Sequence, residues 1–316
     1  MTNERKICVA GIGGVGGLLA AMLGKVYGGQ LTLVARGHRA EMLRENGLVL
    51  HSEFYGEVRA RPQRICEDPA DIGVQDIIFV CVKNYSLEQI AETIRPAVDE
   101  HTVIVPVLNG VEAGNRMRAL FPEAVVGDAV IYTISGANPD GSVTQSGSYT
   151  HLFLGSKMPD RRFQEGVHMA YDLLVPTGFD VRWSQNIESE IWQKFILNCA
   201  FNITTARHQT TTGVIRENEQ MRADLHALLS EAYQAGMAEG IDLPPDLVET
   251  KYSYVINNQP PNGTSSMKRD VDAGRPIELD AFTGTVIRLA EKHGFDVPVI
   301  RAYHEALERM VSAYSH

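Results

Sequence analysis

Apolar and polar positions follow two different periods along this chain. In the first part, short apolar runs of the kind that form buried parallel strands alternate with segments of helical period. These runs lie at residues 6–10, 30–35, 77–82 and 102–108. Strands that alternate with helices predict an α/β fold with a doubly wound parallel sheet.

The pattern of apolar and polar residues changes after residue 124. Short β-like segments between turn residues run to 155 and predict an antiparallel extension of the same sheet. An amphipathic helix and a last strand follow, and from Ser184 onward the pattern is mainly helical. We therefore predict two domains, an α/β domain over residues 1–185 and a mainly α-helical domain over residues 186–316.

The first strand runs directly into a glycine-rich turn and then into a helical segment. The turn reads Gly11-Ile12-Gly13-Gly14-Val15-Gly16. In such a turn the first glycine permits the tight bend, the second lets a pyrophosphate approach the backbone, and the third lets helix and strand pack closely. Because strand, glycines, helix and second strand all occur in the required order, we predict a Rossmann-type domain in which these six residues bind a dinucleotide.

The end of the second strand indicates which dinucleotide is bound. A carboxylate is typical there when the ribose 2′-hydroxyl of NAD is recognised. This chain instead has Ala35-Arg36-Gly37-His38-Arg39, which offers two guanidinium groups to a 2′-phosphate. We therefore predict NADP(H) rather than NAD(H); the alternative is that Arg36 and Arg39 are solvated loop charges.

Lys83 and Asn109 directly follow the third and fourth strands of the predicted sheet. Ligands of doubly wound sheets lie across the carboxyl ends of the strands, so both side chains are expected to face the dinucleotide. Either residue is equally suited to a plain turn, Asn109 especially because Gly110 follows it.

The predicted helix over residues 188–202 is apolar enough to be buried, yet it carries polar residues. Residues 188–202 lack Gly and Pro and are apolar around most of the circumference, yet Glu190, Lys194, Asn198 and Asn202 lie four apart on one face. An ammonium in such surroundings needs a charge partner, a lowered pKa or a water-filled cleft. We expect a cleft; the alternative is an ordinary Glu190–Lys194 pair on a wet face.

The remaining helical part offers two further candidates. His208 lies in a predicted polar loop over 204–213, where it is either a proton donor or simply solvated. Glu278 falls in the first turn of a helix predicted to begin at Pro276, where a carboxylate is also favourable for the helix dipole alone.

Composition narrows the class of protein. A net charge of −10 over 316 residues argues against a nucleic-acid or anionic-membrane surface. The sequence has no apolar run long enough to span a bilayer and no secretion signal, so we expect a cytoplasmic location. The four cysteines are far apart, and no metal site is predicted.

The chain resembles the 2-dehydropantoate 2-reductase (ketopantoate reductase) family over essentially its whole length. Besides the glycine turn, the resemblance lies in Ala35-Arg36-Gly37, Val82-Lys83, Leu108-Asn109-Gly110, Trp192-x-Lys194 with Asn198 and Asn202, Ser265-Ser266-Met267, and Glu278. It implies NADPH-dependent reduction of 2-dehydropantoate to (R)-pantoate in pantothenate and coenzyme A biosynthesis. A homodimer is a family-level expectation.

The resemblance also implies residue roles. Lys194 is the general acid and Glu278 lies beside the cofactor and the active site. Asn198, Asn202 and Ser266 contact the small 2-oxo acid, while the glycine turn, Arg36, Lys83 and Asn109 hold NADPH. We accordingly expect the site to lie between the two domains and to close around the substrate.

Three positions depart from the family pattern: Gly263 and Thr212, where asparagine is typical, and Ile203, where proline is typical. All three are expected on the substrate side, so they leave a reductase of another branched 2-oxo acid as an alternative. A second alternative is an NADPH-binding sensor without turnover, although such a sensor has no use for Lys194 and its polar stripe.

Overall fold

The computed structural model describes residues 5–313, and the chain forms two compact units that divide between Ile187 and Glu188. The strands are β1 (Ile7–Ala10), β2 (Leu31–Val34), β3 (Leu48–Ser52), β4 (Gly56–Ala60), β5 (Arg64–Cys66), β6 (Ile77–Val80), β7 (Val103–Pro106), β8 (Val125–Val126), β9 (Asp128–Ala137), β10 (Val143–Gly155) and β11 (Val181–Trp183).

Helices follow in the same order. The first unit contains α1 (Gly14–Tyr27), α2 (Gly37–Asn46), α3 (Leu87–Ile94), α4 (Ala113–Leu120) and α5 (Arg161–Leu174). From the unit boundary onward the chain forms α6 (Ile187–Arg207), α7 (Thr212–Glu217), α8 (Glu219–Ala238), α9 (Leu247–Ser253), α10 (Ser266–Asp272), α11 (Thr285–His293) and α12 (Pro298–Ser312). Within residues 5–313 no helix is long and apolar enough to cross a membrane.

The first sheet has six strands in the order β5-β2-β1-β6-β7-β8, and all of its pairs are parallel. The residues of β1, β6 and β7 are buried on both faces, as expected for strands covered by helices on each side. Since β1 lies in the middle, the glycine turn that follows it occupies the centre of the carboxyl edge. The predicted Rossmann-type fold followed by a helical part is confirmed.

The prediction of an antiparallel extension is wrong in one respect. The strands β9 and β10 do pair antiparallel, but they belong to a second sheet of order β11-β10-β3-β4, in which β10 runs parallel to β3 and to β11. The hairpin of β3 and β4 was not predicted because its alternation, with Leu48 and Leu50 buried, is too short to stand out from the preceding helix.

Helix α1 fills the space between the two sheets. Every residue from Gly16 to Leu23 is buried, and the helix contacts strands of both sheets. Its glycines permit this: a Cβ at Gly17 would lie 2.4 Å from Val143 Cγ2, and one at Gly24 would lie 2.6 Å from Ala60 Cβ. The helix that follows the glycine turn is therefore fixed from two sides.

The second unit shows two corrections. The predicted polar loop from Thr204 does not begin there, because α6 continues to Arg207; the hydroxyl of Thr205 donates to the carbonyl of Phe201, which lets a threonine remain inside a helix. No helix starts at Pro276 either. The chain stays irregular through Glu278, and a π-helical turn, Asp280–Gly284, leads into α11.

Candidate active site

The glycine turn has the geometry that dinucleotide binding requires. Gly11 has a φ of +91°, and a Cβ there would lie 2.6 Å from Val82 Cγ1. A Cβ at Gly16 would lie 2.0 Å from the carbonyl oxygen of Gly11, so helix and turn touch backbone to backbone. A Cβ at Gly13, in contrast, would meet nothing within 4 Å. The turn is thus closely packed at Gly11 and Gly16 and open at Gly13, where a pyrophosphate would approach.

Two supports of this turn were not predicted from the sequence. Gly14 packs against the second sheet, where a Cβ would lie 2.6 Å from the carbonyl of Ser135. Arg39 donates from Nε to the carbonyl of Ile12 at 3.0 Å and from Nη1 to the carbonyl of Gly141. Burial of its guanidinium lowers the pKa of Arg39. Arg39 therefore helps to hold the turn and is not simply a solvated charge, while its role as a second phosphate ligand stays a prediction.

Arg36 is placed differently. It precedes α2 at the carboxyl end of β2, its side chain is exposed, and Nη2 donates to Thr93 Oγ1 at 2.5 Å. A bond to a neutral hydroxyl leaves its positive charge without a countercharge at that contact. The structure thus keeps Arg36 accessible at the position where the sequence predicts the 2′-phosphate ligand.

A carboxylate also lies at this position. Glu67 accepts the backbone N–H of Gly37 at 3.1 Å and a bond from Arg44 Nη2 at 3.0 Å. The sequence offered no signal for it, because Glu67 follows β5 and reaches the end of β2 only through the pairing of those two strands.

Lys83 and Asn109 lie at the same edge of the sheet as the glycine turn. Lys83 follows β6 and Asn109 follows β7, and both strands run parallel to β1. The loop that carries Asn109 is anchored by Asn84, whose buried amide donates to the carbonyl of Asn109 at 2.9 Å. Asn84 was not singled out from the sequence, although an amide directly after a strand end was its available signal.

The polar stripe of α6 lies in a helix that is largely buried. Lys194 keeps some accessible surface, but its ammonium is surrounded by protein, and this desolvation lowers the pKa of Lys194 to about 8. The negative charge of Glu278 acts in the opposite direction and raises it. In the same way burial lowers the pKa of Lys251 in α9, and the negative charge of Glu190 opposes that shift. Lys194 therefore does not lie on a solvated helix face, as the alternative interpretation required.

Glu278 is only 7% exposed and immediately precedes the irregular start of the next helix. That start is a π-helical turn in which the Thr283 hydroxyl donates to the carbonyl of Leu279 at 3.1 Å and also lies 2.7 Å from His304 Nδ1. Such turns are frequent at functional sites because they redirect a side chain without ending the helix. Here the turn fixes the backbone beside the carboxylate that raises the pKa of Lys194.

The segment with the two serines is tied to α6. Ser265 caps α10, where its Oγ accepts the N–H of Lys268 at 3.1 Å. The same oxygen shares a hydrogen bond of 2.7 Å with Thr205 Oγ1, three residues beyond the buried Asn202 of the stripe. Ser266 is the first residue of the helix held in this way. Thr205 was missed because the sequence placed it in a loop.

His208 belongs to a network of its own. Its Nε2 lies 3.0 Å from the Tyr303 hydroxyl, which donates to Asp224 Oδ2 at 2.7 Å. Burial, and secondarily the charge of Arg207, lower the pKa of His208. A histidine with these partners is explained by the packing of the helices, and it is neither a free proton donor nor simply solvated.

Two of the positions that depart from the family pattern touch each other. Both the N–H and the hydroxyl of Thr212 donate to the carbonyl of Gly263, at 3.0 and 3.1 Å. A Cβ at Gly263 would lie 2.9 Å from Thr212 Oγ1 and 2.8 Å from the carbonyl oxygen of Pro260. The two departures are thus one structural feature directly before the serine segment.

Two family models match this chain. The model described as ketopantoate reductase PanE/ApbA matches residues 7–157, and the model described as ketopantoate reductase PanE/ApbA C terminal matches residues 186–311. Together the two matches cover most of both compact units.

Individual relatives are similar at low identity over nearly full length. YkpB of Bacillus subtilis, an uncharacterized oxidoreductase, is 28% identical over 96% of this chain and 98% of its own length. A 2-dehydropantoate 2-reductase of Mesorhizobium japonicum is 28% identical over 96% of this chain and 97% of its own. Among solved structures, a PanE/ApbA family ketopantoate reductase from Ralstonia eutropha matches with a TM-score of 0.88 at 24% identity, over 98% of this chain and 99% of that one. The last likeness bears on the fold alone.

Proposed function

The chain belongs to the ketopantoate reductase PanE/ApbA family, and on that premise we propose that it uses NADPH to reduce 2-dehydropantoate to (R)-pantoate, with Lys194 as the general acid. Membership makes it an oxidoreductase that depends on a nicotinamide dinucleotide. The observation that carries the proposed chemistry is the desolvated ammonium of Lys194 within the field of the buried carboxylate of Glu278.

The first unit fits a dinucleotide. The open side of Gly13, where a Cβ would meet nothing within 4 Å, leaves room beside the N-terminus of α1 for a pyrophosphate. Lys83 and Asn109 follow β6 and β7, the next two strands on one side of β1, and the exposed Arg36 follows β2 on the other side, where it is available to a 2′-phosphate. These features support NADPH as the cofactor, and when bound it supplies the hydride.

Lys194 then has a defined task. A ketone that accepts hydride develops negative charge on its oxygen, and a proton donor aimed at that oxygen stabilises the transition state more than the ground state. With a pKa of about 8, the ammonium of Lys194 is mostly protonated at pH 7 and gives up its proton more readily than an ordinary lysine.

The other polar groups of the second unit are proposed to orient the substrate. Asn198 and Asn202 continue the stripe from Lys194 along α6, and Ser266 stands at the start of α10, which Ser265 ties to α6. Amide and hydroxyl groups donate to a carboxylate and accept from a hydroxyl, and 2-dehydropantoate carries both. Glu278 keeps Lys194 charged between turnovers.

The reaction is tested by NADPH oxidation with 2-dehydropantoate, 2-oxoisovalerate and 2-oxoisocaproate at equal concentrations. We expect a clear preference for 2-dehydropantoate. Preference for another acid would move the function to a related reductase, a result to which the Gly263 and Thr212 positions would then be relevant. Binding of NADPH without oxidation by any of the three would indicate a sensor.

The role of Lys194 is tested by Lys194→Ala. Loss of a positioned proton donor is expected to lower kcat by about 10²- to 10⁴-fold, while NADPH binding persists. Lys292→Ala is a suitable control, since Lys292 pairs with Glu239 on the surface of the same unit. Turnover of Lys194→Ala within a few-fold of the parent would show that Lys194 is a structural lysine.

A further inference from the structure

The neighbourhood of Arg36 contains a carboxylate that the proposed NADPH preference does not explain. The N–H of Ala35 donates to the carbonyl of Cys66 at 3.0 Å, which fixes the next residue, Glu67, beside the start of α2. From there Glu67 accepts the N–H of Gly37 at 3.1 Å. A carboxylate therefore stands at the strand end where dinucleotide-binding domains read the adenosine ribose.

Two hydrogen bonds and two nearby arginines favour the ionised form of Glu67. Arg44 donates to its second oxygen at 3.0 Å, and the N–H of Gly37 opens a helix whose dipole favours negative charge. These bonds, together with the charges of Arg44 and Arg36, hold the pKa of Glu67 below its usual range. Gly37 has a φ of +53°, and a Cβ there would meet nothing within 4 Å, so the space beside the Cα of Gly37 is open.

We propose that Glu67 sets how strongly this chain discriminates between NADPH and NADH, because its carboxylate already occupies the anion position at the start of α2 and opposes a 2′-phosphate bound by Arg36. The proposal rests on the proposed function, since it assumes that the dinucleotide lies across the carboxyl ends of β1 and β2. It goes beyond the proposed function because it makes the preference between NADPH and NADH depend on the balance between the positive charge of Arg36 and the negative charge of Glu67.

The two cofactors meet Glu67 differently. A ribose 2′-hydroxyl donates a hydrogen bond to a carboxylate, so NADH gains a partner there. A 2′-phosphate brings negative charge next to the same carboxylate and competes with it for the Gly37 N–H and for Arg36. Glu67 thus weakens NADPH and favours NADH, and the parent protein is expected to bind both.

The test measures dissociation constants for NADPH and NADH by nicotinamide fluorescence, in the parent and in Glu67→Gln. The substitution removes the charge, keeps the shape and leaves an oxygen for the Gly37 N–H. We expect NADPH to bind about three- to tenfold more tightly in the variant, with an effect that shrinks as salt is added, while NADH binds no more tightly than before. Competition by adenosine 2′,5′-bisphosphate and by AMP, which differ in the 2′-phosphate alone, should repeat this contrast.

Glu57→Gln is the matched control. Glu57 also pairs with an arginine on the surface of the first unit, at 2.8 Å from Arg59 Nε, and it is 52% exposed against 45% for Glu67. This control should leave both dissociation constants unchanged. Glu67→Ala, with its fold checked by thermal melting, removes the charge without an amide and should also tighten NADPH.

The outcomes separate the two proposals. If the parent binds a dinucleotide and Glu67→Gln leaves the ratio of the two constants unchanged, the role of Glu67 is refuted and the proposed reductase function stands. If the parent binds neither NADPH nor NADH, both proposals fall. Equal tightening of both cofactors would also refute the role, because it would show an effect of net charge and not of the 2′-phosphate.

Discussion

At the scale of single residues, the environment decides what a side chain can do. Lys194 and Lys292 have the same chemistry, but Lys292 pairs with Glu239 on the surface, whereas Lys194 is desolvated within α6. Desolvation penalises the charged form and lowers the pKa of Lys194, and the negative charge of Glu278 offsets part of that lowering. The pair of opposing effects leaves Lys194 with a pKa of about 8, close to the pH at which a proton donor is most useful.

A pH profile follows from this balance. The protonated form of Lys194 is the proposed acid, so kcat/KM should be constant below pH 8 and fall above it. Glu278→Gln removes the charge that raises the pKa of Lys194, so the falling limb should move to lower pH, by about one pH unit. The measurement is kcat/KM against pH for the parent and the variant.

Glu291→Gln provides the reference for that profile, because Glu291 pairs with Arg301 on the surface of the same unit. The fall of kcat/KM at high pH should occur at the same pH in Glu291→Gln as in the parent. A limb that stays in place in Glu278→Gln as well would mean that another group limits the rate at high pH.

At the scale of elements, the sequence predicted those whose hydrophobic period is long or repeated. The strands at the centre of the first sheet and the helix after the glycine turn were found because burial on both sides gives continuous apolar runs. The β3–β4 hairpin was missed because its alternation is short, and the end of α6 was missed because Ser265, the partner of Thr205, lies far away in the sequence. For the same reason the sequence named Arg36 and not Glu67.

The contact between Gly263 and Thr212 supports a prediction at this scale. Gly263→Ala is expected to lower the free energy of unfolding by about 1–3 kcal/mol, because its Cβ would overlap the Pro260 carbonyl and the Thr212 hydroxyl. Urea unfolding measures the change. Thr212→Ala combined with Gly263→Ala should recover part of the loss, since it removes one of the two overlaps.

Gly29→Ala is the control for that experiment. A Cβ at Gly29 would meet nothing within 4 Å, and its backbone is outside the left-handed region. It should change stability little. A similar loss in both variants would mean that chain flexibility, and not overlap at residue 263, sets the result.

At the scale of the whole molecule, the proposed function places the glycine turn and Lys194, the proposed proton donor, in different compact units. This division predicts that cofactor binding and proton transfer respond to different substitutions. NADPH at a hundredfold excess over its Kd should stabilise the parent by about 2.7 kcal/mol, seen as a rise in Tm, and Lys194→Ala should show the same rise.

Gly13→Asp is expected to show the opposite behaviour. Its side chain would enter open space and leave the Tm of the free protein unchanged, but it would place bulk and negative charge where the pyrophosphate approaches. The rise in Tm with NADPH should then disappear. If NADPH still raised the Tm of Gly13→Asp, the dinucleotide would have to bind away from the glycine turn.

The anchoring of the glycine turn by Arg39 has a kinetic consequence. Because Arg39 binds the carbonyl of Ile12 and Gly14 packs against Ser135, the turn is ordered before any ligand arrives. We therefore expect binding to carry little entropic cost for ordering this turn, and the turn itself should not delay association. Differences in affinity between cofactors should therefore arise in how long each one stays bound.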